Sequence, residues 1–289
     1  MIRWPVATAA GVVLAAAALG CQGRDEPAPA PQAPAASPAA ASAGCRQGVE
    51  LNALRGIRRE IRVGEEVRSY LLDVPRGPAD TPRPVLLAFH GFRAASGRLR
   101  RWTGLARQAH RTGMIAAFPE GHDGVELLGG SGRGWDMEPG ETRDLAFVTA
   151  LLDTLEQDWC VDRQRIYVTG MSNGGFFANL LGCVLADRLA AVAAVAGAKP
   201  LPSCTGGDAI PMLLIHGAKD KVVDPVLARS ARDWWMQRNG CSGSRQEQHC
   251  MHAEGCRADV SYCEATQGHW WPRPATRRII AFFERHARG

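Results

Sequence analysis

Val168-Thr169-Gly170-Met171-Ser172-Asn173-Gly174-Gly175 decides how this chain is read. The β-branched run Ile166-Tyr167-Val168 leads into it, and an apolar helical stretch from Phe176 to Leu185 follows. A serine inside Gly-x-Ser-x-Gly, after a strand and before a helix, is the pattern of a nucleophile elbow. The turn is tight enough that a side chain beside the serine would strike neighbouring backbone, which accounts for Gly170 and Gly174. The serine hydroxyl is then presented at the top of a sheet, over a helix N-terminus that favours developing negative charge. A turn whose serine merely caps the helix would need no chemical partners elsewhere in the chain; this chain supplies them.

A serine hydroxyl is a weak nucleophile until a base takes its proton, and that base needs a carboxylate to hold its tautomer. On this kind of scaffold the partners follow in the order serine, acid, histidine. Met212 to Ile215 is a buried-strand run that continues into His216-Gly217-Ala218-Lys219-Asp220, which puts Asp220 where a strand-end loop delivers an acid, with Asp224 as a rival. Near the C-terminus, Gly268-His269-Trp270-Trp271-Pro272 offers His269 on a Gly-preceded loop. His90 and His216 each end a buried strand just before a glycine, a position that suits a structural imidazole rather than the base. An oxyanion hole needs two backbone N–H groups. One comes from the residue after the serine, Asn173, and one from the loop after the third strand, where Phe92 follows the flexible Gly91.

The pattern outside the elbow is consistent with that scaffold. Ile57 to Arg62 and Val67 to Val74 read as a hairpin about Gly64-Glu65. Pro84–Phe89, Met114–Phe118, Ala190–Val195 and Met212–Ile215 are apolar throughout, as strands buried on both faces must be. Helical periodicity links Leu99, Trp102, Leu105, Ala106 and Ala109 up to Gly113, and recurs over Leu145–Leu155, Val226–Arg238 and Ala275–His286. Val260 to Cys263 reads as a last strand, and Pro119 to Gly140 as a long Gly-rich loop carrying Trp135. Strands alternating with helices predict an α/β fold: one mostly parallel sheet with helices on both faces, over residues 51–289.

Residues 1–20 read as an export signal, with Arg3 before a short apolar run and Ala18-Leu19-Gly20 before Cys21. That tetrapeptide resembles a bacterial lipobox, which would make Cys21 a lipidated first residue. Residues 21–50, Ala/Pro-rich at first, read as a tether. The expectation is an exported protein, anchored to a bacterial membrane only through that lipid, or else secreted or periplasmic. A net charge of +5, with arginines spread along the chain, offers no stripe for nucleic acid. Nine cysteines fit an oxidising compartment. His249, Cys250, His252, Cys256 and Cys263 match no standard zinc spacing, so neither metal nor cofactor is expected. Parallel-sheet geometry puts Cys160, before the elbow strand, and Cys183, at the end of the following helix, at one edge of the sheet, and predicts a bridge between them. Cys241 to Cys263 would then pair among themselves, leaving Cys45 for Cys204.

From about Cys45 onward the motifs have a common resemblance. His90-Gly91-Phe92, Phe118-Pro119-Glu120-Gly121, the Trp135 loop, Asp144, Val161-Asp162 and the elbow contribute to it. So do Val195-Ala196-Gly197, His216-Gly217-x-x-Asp220, Asn239-Gly240-Cys241 and Gly268-His269-x-Trp271-Pro272. Together they resemble the exported polyhydroxybutyrate depolymerase and feruloyl esterase-like family of α/β-hydrolases. The resemblance implies an α/β-hydrolase fold and a serine esterase with Ser172, Asp220 and His269 as its triad, Asp220 ahead of Asp224. The substrates implied are polyesters of the polyhydroxybutyrate type or feruloyl and acyl-sugar esters. Two departures, a loop without the cysteine some relatives carry near Trp135 and Gly-His-Trp-Trp-Pro in place of Gly-His-Thr-Trp-Pro, fall on the substrate side. Trp135, Trp270 and Trp271 are accordingly expected at the substrate. A serine peptidase on the same scaffold, or a non-catalytic binding protein, are the rival classes; an intact ordered triad speaks against the latter. Nothing in the sequence fixes the ester or an oligomeric state.

Overall fold

Strands that are apolar on both faces need cover on both sides, and the protein supplies it around one large sheet. The structure is a computed structural model that describes residues 40–137, 142–198 and 208–289. The expected signal, most of the expected tether with Cys21, and Cys204 lie outside the described residues.

In chain order the chain forms β1 (Glu50–Leu51), β2 (Leu54–Val63), β3 (Glu66–Val74), β4 (Gly77–Pro78) and β5 (Arg83–Phe89). Helices α1 (Ser96–Thr103) and α2 (Leu105–Arg111) precede β6 (Ile115–Pro119), β7 (His122–Leu127) and β8 (Gly130–Gly134). Next come α3 (Arg143–Asp158), β9 (Val161–Met171), α4 (Asn173–Val184), β10 (Ala191–Val195), β11 (Met212–Gly217) and α5 (Pro225–Arg238). The chain ends with β12 (Gly243–Glu247), β13 (Cys250–Glu254), β14 (Val260–Ala265) and α6 (Ala275–Glu284).

Ten strands make one sheet in the order β12-β13-β14-β11-β10-β9-β5-β6-β3-β2. The six central strands, β14 to β6, are mutually parallel. The hairpins at the two flanks are antiparallel. Alternate residues of β5 feed opposite cores, as the period of two requires. Val85, Leu87 and Phe89 pack with α3, α4 and α5 on one face, while Leu86 and Ala88 pack with α1, α2 and α6 on the other. This is the α/β-hydrolase architecture that the sequence predicts.

The structure departs from the expected layout in four places. The single helix expected through Leu99 and Ala109 is two, because Gly104 takes a left-handed conformation (φ 72°) between them. The expected loop 119–140 contains the β7–β8 hairpin, whose Gly-rich strands carry no apolar alternation to read. The β12–β13 hairpin, polar and largely exposed, was invisible for the same reason. The chain joins the domain from Ala40, not residue 51. Ala41 pairs antiparallel with Asp162, the Ser42 hydroxyl donates to Trp159 O, and Val161 N–H donates back to it.

That docking corrects the predicted disulfide. Cys160 is bridged to Cys45, with Cα atoms 4.1 Å apart, and not to Cys183. The N-terminal segment lies along the start of β9 and brings Cys45 to Cys160. Cys183 is itself disulfide-bonded. Cys241–Cys256 and Cys250–Cys263 pair within the C-terminal group, the latter directly across β13 and β14.

Candidate active site

Parallel strands deliver the loops after β5, β9, β11 and β14 to one edge of the sheet, where ligand sites of open α/β sheets form. At the end of β9, Ser172 adopts φ 55° and ψ −123°, a strained backbone for a residue with a Cβ. Its N–H donates to Val195 O, and its carbonyl accepts from Gly175 and Phe176, so neighbouring backbone holds the turn. A Cβ on Gly170 would lie 2.1 Å from Gly174 O, and one on Gly174 would lie 2.3 Å from Phe89 O. The glycines beside the serine are therefore required by space.

The loops after β11 and β14 are laced together by Ala218 N–H to Ala265 O and Lys219 N–H to Gln267 O. The lacing puts His269 Nδ1 2.7 Å from Asp220 Oδ2 and His269 Nε2 2.9 Å from Ser172 Oγ. With the proton on Nδ1, the ring donates to Asp220 and leaves Nε2 to accept from the serine hydroxyl. The other carboxylate oxygen of Asp220 accepts from the Val222 and Val223 amides, each at 2.9 Å. Burial works to raise the Asp220 carboxyl, but the Val223 amide, His269 and the Val222 amide outweigh it and hold the group below its ordinary value. Asp224 is elsewhere: it is the N-cap of α5, accepting from Val226 N–H.

The two other strand-end histidines have structural bonds, as their sequence positions suggested. Gly121 N–H donates to His90 Nε2, so the proton sits on Nδ1 and is given to Gly91 O. His216 is buried, and burial lowers its pKa; its Nε2 lies 3.0 Å from Val223 O and 3.3 Å from Asp220 Oδ2. The His216 ring thus backs the loop that carries Asp220.

Asn173 is the first residue of α4, so its N–H belongs to the helix turn that has no intrahelical partner. The β5 loop comes close on the other side: a Cβ on Gly91 would stand 3.3 Å from Ser172 Cβ. Phe92 lines the same cavity as Ser172 and His269. This cavity, of about 190 Å³, is also walled by Arg98, Trp102, Met171 and Trp270.

Of the three tryptophans expected at the substrate, the structure brings only Trp270 to the cavity. It is exposed and meets the Trp102 ring edge-on, with centroids 5.8 Å apart. Trp135 is fully buried, stacks on Phe177 and donates from its indole N–H to His90 O; it is core behind the site. Trp271 is also core, its indole bonded to Thr276. Trp102 was missed as a site residue because it fits the apolar stripe of α1. Its signal was indirect: a tryptophan stripe position on a helix that follows the Gly91 loop.

No metal site emerges from the cysteine-histidine cluster, whose cysteines are all in bridges. Among the described residues, His122, Asp136 and Asp144 have ligand-like spacing. Each carboxylate there already faces an arginine, Asp144 with Arg68 at 2.6 Å and Asp136 with Arg143 at 3.3 Å. The group is a charge network that ties the start of α3 to β3 and β7.

A family model described as phospholipase/carboxylesterase matches residues 142–267. Feruloyl esterase D of Neurospora crassa is 26% identical over 222 residues, covering 74% of this chain and 73% of that protein. Feruloyl esterase B of Piromyces equi is 27% identical over 220 residues, 67% of this chain. The chain spans only 40% of the length of the Piromyces protein. Among solved structures, the acetyl xylan esterase from Aspergillus awamori superposes with a TM-score of 0.65 at 14% identity, covering 79% of this chain and all of that one. At that identity the superposition speaks for the fold alone.

Proposed function

We propose that the chain is a feruloyl esterase-like carboxylic ester hydrolase that works through an acyl-enzyme on Ser172, a reading supported by its likeness to esterases. The observation that carries this reading is the unbroken hydrogen-bond chain from Ser172 Oγ through His269 to Asp220. Ser172 Oγ attacks the ester carbonyl while His269 Nε2 takes its proton. The proton then passes to the leaving alcohol, and water repeats the sequence on the acyl-enzyme. Asp220 keeps the ring in the tautomer that leaves Nε2 free and stabilises the imidazolium that forms. The N–H groups of Phe92 and Asn173 receive the oxyanion, with the α4 N-terminus adding favourable potential.

The substrate reading is a feruloyl or small acyl-sugar ester in preference to a polyester or a peptide. Its support is the kinship with feruloyl esterases and a cavity of about 190 Å³ between two tryptophans, sized for one ring or short acyl group. The reading also takes the protein to be exported, supported by the disulfides among the described residues. We further propose lipidation at Cys21, with the residues between it and Ala40 as the leash; Cys21→Ser should release the protein or leave a precursor.

A fluorophosphonate probe tests the central reading. Wild-type protein should label at Ser172, and Ser172→Ala should neither label nor retain activity, with a loss on the order of 10⁴ or more. A folded Ser172→Ala variant that keeps a tenth of the activity on methyl ferulate would refute it.

A further inference from the structure

We infer that the cavity beside Ser172 selects esters whose ring carries a carboxylate, and that Arg98 is the residue that reads it. The inference rests on the esterase reading and adds the substrate's charge to it.

The electrostatics of the cavity are one-sided. No Asp or Glu lines it, and Arg98 is the single arginine or lysine among its described lining residues. Arg98 has no ion pair or side-chain hydrogen bond among the described residues. The nearby acids are committed elsewhere: Asp73 to Arg100 at 2.6 Å, and Glu120 to the Ser96 hydroxyl at 2.6 Å. Arg98 also sits in the first turn of α1, which has no acidic residue of its own. Arg98 is exposed, and a cation at that position opposes the helix dipole. A side chain that breaks a local rule without structural compensation is expected where function needs it.

Geometry turns this charge toward a ring. Arg98 and Trp102 are four residues apart on α1, so guanidinium and indole share one face of the helix. Trp270, next to His269, meets Trp102 edge-on at 5.8 Å from the other wall. Both indoles are about half exposed, 46% and 59%, which leaves ring surface for a planar or sugar ring to cover. A carboxylate on that ring would find a forked donor one helical turn away, the geometry at which arginine outperforms lysine. Two ring types fit the shared chemistry, an aromatic acid and a uronic acid.

The test compares matched esters on purified enzyme at low salt. One arm uses methyl 4-carboxycinnamate against methyl cinnamate, and the other the methyl glycoside of O-acetyl galacturonate against that of O-acetyl galactose. Wild type should favour the charged partner in at least one arm, and that arm identifies the ring. In Arg98→Gln the charged-to-neutral ratio of kcat/KM should drop roughly tenfold to a hundredfold, with the loss in KM rather than kcat. Arg98→Lys should recover part of the ratio, and added salt should erode the wild-type preference. A ratio near one in both arms, or a ratio that Arg98→Gln leaves unchanged, overturns the inference while the esterase reading stands. If no ester is turned over and Ser172 does not label, the esterase reading fails and this inference falls with it.

Discussion

The side chain of Asn173 is clamped at two points to the backbone of Trp135: Oδ1 accepts from Trp135 N–H at 2.8 Å, and Nδ2 donates to Trp135 O at 3.1 Å. Trp135 in turn donates its indole N–H to His90 O, just before Gly91 and Phe92. One buried tryptophan therefore ties together the two segments proposed to supply the oxyanion amides. The role expected of it at the substrate is replaced by one in the core, behind the proposed oxyanion donors.

From this clamp follows the first prediction. Asn173→Ala leaves two buried backbone groups of Trp135 without partners, which should cost about 1–3 kcal/mol of stability. The amide of residue 173 should also lose its fixed aim, lowering kcat roughly tenfold to a hundredfold with KM little changed. Urea unfolding and steady-state kinetics on one ester check both. A kcat that falls only in step with the folded fraction would confine the clamp to a structural role.

The two neighbouring aspartates should separate cleanly. Asp220→Asn strands the imidazole in the wrong tautomer and should lower kcat on the order of 10⁴. Asp224→Ala removes a helix cap and should cost about 1 kcal/mol of stability while kcat stays near wild type. The opposite ranking in a side-by-side assay would move the acid to Asp224.

Asp220 also predicts a pH dependence of stability. Its folded carboxyl lies below the ordinary 3.8, so the stabilisation is present above that value and is lost as pH falls through the folded value. Asp220→Asn should therefore be less stable than wild type at pH 7 and should flatten the decline of unfolding free energy below about pH 4. Urea titrations at several pH values between 3 and 7 measure this. Parallel curves for the two proteins would mean that the carboxyl is not held down.

What could be read from the sequence follows a physical boundary. The elbow was legible because sterics dictate it: no residue but glycine fits at 170 or 174. The meeting of Ser172, Asp220 and His269 was legible because parallel strands send their following loops to one edge. The tryptophans were not. Trp135, Trp271, Trp102 and Trp270 are the same residue type in loops or helix stripes, and only packing decides that the first two are core and the last two line a cavity. The β7–β8 and β12–β13 hairpins lack apolar alternation, so no periodicity announces them. Cys45 was misassigned because its position depends on a segment that adds no full strand to the sheet.

The Cys45–Cys160 bridge gives the last prediction. It closes a loop of 115 residues, which in the chain-entropy account removes enough freedom from the unfolded chain to stabilise the fold by about 4–5 kcal/mol. It works beside Ser42, whose hydroxyl and backbone N–H fasten the same segment to the start of β9. Ser172 stands just past the other end of that eleven-residue strand. Stability and chemistry should therefore come apart. The double variant Cys45→Ala/Cys160→Ala, which leaves no unpaired partner to scramble the remaining bridges, should unfold at a clearly lower urea concentration. At a temperature where it is still fully folded, it should react with a fluorophosphonate at the wild-type rate. Slower labelling in a folded double variant would show that the bridge reaches the elbow through β9. An unchanged urea midpoint would show that Ser42 and the packing around Ala40 hold the N-terminal segment without it.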